Sequence, residues 1–89
     1  MPSFPLRIEL VDQGGVYPHL LTISRLDFHR RSITLYRDAV RQKARMHGVS
    51  ERTILSIAIL HEYLHFLFPK KKREVEQLSK RFERTLGII

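Results

Sequence analysis

Three residues have the types and spacing to do chemistry together: His61, Glu62 and His65, in the run His61-Glu62-Tyr63-Leu64-His65. On a helix turning about 100° per residue, His61 and His65 share one face one turn apart, with Glu62 beside it. This H-E-x-x-H spacing lets two imidazoles grip one zinc ion while the Glu works on a water that the metal activates. The run lies inside residues 54–68, where eleven of fifteen residues are Ile, Leu, Ala, Phe or Tyr. Ionisable groups in so apolar a segment cost roughly several kcal/mol unless something satisfies them, and a shared cation would. The plainer reading is a pair of core histidines bonded to carbonyls. A second His at i+4, with a Glu between, argues against it.

The surrounding elements must place those side chains. Residues 54–68 read as a central, mostly buried helix, capped by Ser50, with Glu51 in its first turn and a stop at Pro69. Before it, residues 37–47 lack Gly and Pro and place Tyr36, Val40, Ala44 and His47 on one stripe, an amphipathic helix closed by Gly48. After Pro69 a last helix is predicted over residues 71–86, with Val75, Leu78, Phe82 and Leu86 inward. A tight connection at Pro69 makes an antiparallel helix pair. His65 is four residues before that proline, Glu74 five after it and Glu76 seven after it. Either carboxylate then comes within reach of the histidines.

The N-terminal part reads as sheet. Residues 6–11 alternate apolar and charged, the period of a half-buried strand, and residues 32–36 alternate and are β-branched. Asp12, Gln13, Gly14 and Gly15 form a turn cluster, and residues 16–28 fit a strand or a short helix about equally. The expected fold is one small α+β domain over residues 1–89: a short antiparallel sheet of two to three strands followed by three helices, with the motif on the central buried helix.

Composition narrows the chemistry. There is no Cys among the 89 residues, which removes disulfides and thiolate zinc sites and leaves His and carboxylate as ligands. Apolar residues make up 43% and charged residues 28%, the balance of a folded globular domain. The start of the chain lacks the pattern of a signal peptide, and residues 54–68 are too short and too punctuated to span a bilayer, so a cytoplasmic protein without membrane contact is expected. The formal charge of +7 signals affinity for polyanions. Its most concentrated part is Lys70-Lys71-Lys72-Arg73, read first as a solvated basic loop and second as a contact for an anionic partner or substrate carboxylate.

Two histidines, a helix-borne Glu and a strand and helix ahead of the motif resemble a minimal zinc metallopeptidase of the gluzincin type, close to the minigluzincins. The resemblance covers most of the chain from about Phe28 onward. It implies Zn²⁺ as cofactor, peptide or protein as substrate, and cleavage of peptide bonds with Glu62 as general base and acid. It implies His61, His65 and a Glu of the next helix as ligands. Glu74, followed by the small apolar Val75, fits that pattern, with Glu76 as the alternative. It further implies that the strand of residues 32–36 forms the upper rim of a cleft and pairs with extended substrate. Some members are latent, with a C-terminal segment in the cleft, the place that Gly87 to Ile89 would take. No dedicated oxyanion residue stands out; Tyr36 and His29 are the candidates.

A second reading comes from a different class. Ala44, Gly48, Val49 and Ile54 have the spacing of a helix-turn-helix, and the basic charge suits nucleic acid. A recognition helix must present polar side chains to base edges. Here that helix would offer little beyond residues 50–53 and Ser56.

Overall fold

The computed structural model of the chain describes residues 4–12 and 23–87. Its elements run β1 (Arg7–Val11), β2 (Ser24–Asp27), β3 (Ser32–Tyr36), α1 (Arg37–His47), α2 (Glu51–Leu67) and α3 (Lys72–Thr85). This is a three-stranded sheet followed by three helices, the expected α+β class. Apart from Asp12, the turn expected at residues 12–15 lies outside the described residues, as do residues 16–22 of the ambiguous stretch 16–28 and residues 88–89 of the C-terminal tail.

The sheet is mixed rather than antiparallel. Its order is β1-β3-β2, with β1 parallel and β2 antiparallel to β3. Alternating polarity sets which face a side chain takes, but not the direction of the neighbouring strand. The four-residue connection between β2 and β3 is short enough for a hairpin, and the Asp27 carboxylate accepts from the Arg30 N–H at 3.1 Å within it. Arg31 closes the turn with φ 49°. Its carbonyl accepts from the Arg7 N–H at 2.8 Å, which ties the start of β1 to this corner.

The core follows from β3. Ile33 and Leu35 point from one face onto α2 and are all but fully buried with Leu6 and Ala58; Ile23, Leu26, Leu55, Ile59, Tyr63 and Phe66 pack around them. A second apolar cluster, Val40, Ala44 and Ile54, joins α1 to α2. Each fully buried Ile, Leu or Val among them contributes about 1.5–3 kcal/mol relative to exposure.

The helix ends are those the sequence marks. Gly48 adopts φ 63°, the left-handed turn that ends α1, and the Val49 N–H donates back to the Ala44 carbonyl at 3.0 Å. Ser50 Oγ accepts from the Thr53 N–H at 3.1 Å and opens α2. Two expectations about burial change. Only Ile54, Ala58 and Glu62 of α2 are buried, and most of its other residues are half-buried, because a single sheet and two helices cannot surround it. On α3 the buried positions are Val75 and Ser79, whereas Leu78, Phe82 and Leu86 remain 44–47% exposed. The helix is therefore turned relative to its apolar stripe, and this rotation decides which acid reaches the histidines.

Candidate metal centre

The last turns of α2 carry His61, Glu62 and His65, and α3 returns beside them after Pro69. His61 and His65 stack edge to face with ring centroids 4.6 Å apart, and their Nε2 atoms approach to 3.1 Å. One carboxylate oxygen completes the triangle: Glu76 Oε1 lies 2.9 Å from His65 Nε2 and 3.3 Å from His61 Nε2. Three donors sharing a cation at bond lengths of about 2.0–2.2 Å stand roughly this far apart. Without a cation or a proton between them, two imidazole lone pairs and a carboxylate oxygen would repel.

Glu62 is the second acid at the site. His61, Glu62 and His65 each offer a donor atom, all within 4.8 Å of one another, and this group could hold a metal ion. Glu76 is nearer to the imidazoles than Glu62, whose Oε1 is 3.9 Å from His61 Nε2. Glu62 is also the more buried of the two. That burial raises its carboxyl above the usual range; His65 pulls it back and Glu76 adds to the rise. A carboxylate so placed is a better proton acceptor than one in water.

The carboxylate of α3 that meets the imidazoles is that of Glu76, the alternative to Glu74 in the sequence. With Val75 and Ser79 facing α2, Glu76 stands about 100° to one side of Val75, toward the histidines, and Glu74 about 100° to the other. Glu74 is exposed in the first turn of α3. Val75 packs inward as its apolar character predicts, and that leaves Glu74 and Glu76 on opposite flanks of it.

Ser79 was not singled out in the sequence. Its Oγ lies 2.7 Å from His61 Nδ1, and the residue is 7% exposed. Assigning the proton to Nδ1, as donor to Ser79 Oγ, leaves the lone pair of His61 on Nε2, facing the other donors. The only available signal was its place three residues after Glu76. Burial also holds the His61 imidazolium below its ordinary value of 6.5; Glu76 and Glu83 oppose this and His65 reinforces it. Glu83 in turn meets Lys43 of α1 at 4.0 Å. The shift favours the free base, the form a metal needs.

The group opens into a cleft of about 370 Å³ lined by Leu26, Phe28, His61, Glu62, His65, Pro69, Lys72 and Glu76. Neither Tyr36 nor His29 is among these residues. The rim strand also differs from the expectation. β3 is hydrogen-bonded on both sides and has no free edge for a substrate. Of the two outer strands, β1 and β2, it is β2 whose Leu26 lines the cleft together with the following Phe28. The basic run does not loop away from α3: the helix begins at Lys72, so Lys72 and Arg73 occupy its first turn. Among the described residues no helix is long and apolar enough to cross a membrane.

Comparison with known proteins adds no assignment: no family model, no curated protein and no solved structure matches this chain.

Proposed function

We propose that this chain is a zinc-dependent metallopeptidase of the minigluzincin kind, with His61, His65 and Glu76 as metal ligands and Glu62 as general base and acid. The observation that carries the reading is the triangle of His61 Nε2, His65 Nε2 and Glu76 Oε1, with sides of 2.9–3.3 Å and the buried Glu62 beside it. The donor set suits zinc: two imidazoles and one carboxylate, with no thiolate. Zinc, when bound, supplies Lewis acidity that activates a water and polarises a carbonyl. The rest falls to the chain's own groups. Glu62 takes a proton at its carboxylate and returns it to the leaving amine. Among the described residues the outer edge of β2 carries no further strand and offers backbone groups to an extended peptide, and Leu26 and Phe28 give it an apolar wall.

Peptide cleavage that a chelator stops and added zinc restores is the expected result. Protein that holds zinc yet cleaves no peptide under any condition would remove the catalytic part of this reading. The alternative, a basic helix-turn-helix-like nucleic-acid-binding domain, draws support from the charge of +7. Against it, the exposed polar side chains of α2 are limited to Glu51, Arg52 and Ser56. Salt-dependent DNA binding by metal-free protein would favour it.

A further inference from the structure

Lys72 lines the cleft one helical turn before Glu76, on the same face of α3. Its natural helical partner would be Glu76 at i+4, but Glu76 Oε1 is already shared by His61 and His65. Among the described residues no carboxylate forms an ion pair with Lys70, Lys71, Lys72 or Arg73. The opposite wall is apolar, with Leu26 and a half-exposed Phe28 whose ring stacks on Phe66 at 6.1 Å. The cleft therefore presents a free ammonium on one side and an aromatic wall on the other, with the candidate metal ligands between them.

The charges facing this space are Glu62 and Glu76 against Lys72, a formal balance of −1 that a divalent cation turns to +1. A metal-loaded cleft of that sign favours an anion and disfavours a cation. One turn of helix spans about 5.4 Å, and an extended peptide advances about 3.3 Å per residue. Lysine side chains on a helix lean toward its N-terminus, which adds to the offset.

We infer that Lys72 is a specificity-determining residue that selects peptides carrying a carboxylate roughly two residues from the bond at the metal, with an apolar side chain between them against Phe28. The inference rests on the peptidase reading for its substrate class. The carboxylate is that of a Glu or Asp side chain or of a free C-terminus.

The test is peptide affinity for zinc-loaded Glu62→Gln protein, in which turnover is suppressed. The probes are capped alanine hexapeptides with Leu at the fourth position and Glu, Gln or Lys at the second or the sixth. A matched set ends in a free carboxylate in place of an amide. With Lys72 present, a carboxylate peptide binds about fivefold tighter than its Gln or amide counterpart, an advantage that shrinks with salt. Lys72→Gln levels the two, and Lys72→Glu reverses the order in favour of the Lys peptide, with zinc content unchanged in both. The side-chain and C-terminal sets show which carboxylate is used. Equal affinities for all peptides, no binding of any, or discrimination that survives Lys72→Gln would overturn the inference. Cleavage of the same peptides by zinc-loaded wild-type protein is scored separately. Its absence removes the peptidase reading and leaves the affinity comparison standing as a test of Lys72.

Discussion

The two ends of α2 are built on opposite terms. At the N-terminal end, Ile54 closes on Val40 and Ala44, while Ser50 and Gly48 satisfy the backbone of the adjoining turns. Everything buried there is apolar or hydrogen-bonded. Near the C-terminal end the buried residue is Glu62, and the side chains around it are two histidines, a serine and a second glutamate. The first end contributes stability. The second gathers two imidazole nitrogens and a carboxylate oxygen within 2.9–3.3 Å of one another, a spacing that a shared proton or a cation would satisfy.

The largest expected effect lies at the polar end and concerns activity. Glu62→Gln keeps the zinc and lowers the rate of peptide cleavage by about 10²–10⁴, measured as kcat on a cleaved peptide. The same change shows in the metal-free protein. Burial raises the folded pKa of Glu62, so its ionisation destabilises the fold. Wild type is then most favoured relative to Glu62→Gln at low pH, and this advantage is lost as pH rises from the unfolded value of 4.5 through the higher folded value. Denaturant unfolding of both proteins across that range measures the difference.

At the apolar end, Ile54→Ala empties a site that is 3% exposed and costs about 2–5 kcal/mol in chemical denaturation, while the zinc affinity of the remaining folded protein stays near wild type. A smaller effect separates the ends again. Ser79→Ala frees the His61 ring and weakens zinc affinity about 10–100-fold, read by competition with a chromogenic chelator. Smallest is Ser50→Ala, which removes the cap of α2 and costs about 0.5–2 kcal/mol without touching zinc affinity. Equal loss of zinc affinity from Ser50→Ala and Ser79→Ala would erase the contrast between the two ends.

What was legible in the sequence divides along similar lines. Gly48, Ser50 and Pro69 are local signals with local causes, and they bound α1 and α2 closely. The alternation in β1 and β3 identified strands for the same reason. The parallel pairing of β1 with β3 and the outer place of β2 among the described strands depend on how distant segments meet, and alternation carries no such information. Of the expected inward stripe of α3, Val75 is buried while Leu78, Phe82 and Leu86 stay half in solvent, because burial centres on Val75 and Ser79 and an outer helix of so small a domain is covered on one side. The phase of α3 is what separates Glu76 from Glu74. The two histidines and Glu62 were readable because a fixed spacing on one helix needs no tertiary knowledge. Ser79 was not, since a buried serine has no motif.

Zinc content per chain, measured by atomic emission on wild type, His61→Ala, Glu74→Gln and Glu76→Gln after exhaustive dialysis, tests the central claim most directly. The account predicts about one zinc in wild type and Glu74→Gln and a marked loss in His61→Ala and Glu76→Gln. No zinc in wild type, or undiminished zinc in His61→Ala, would contradict it.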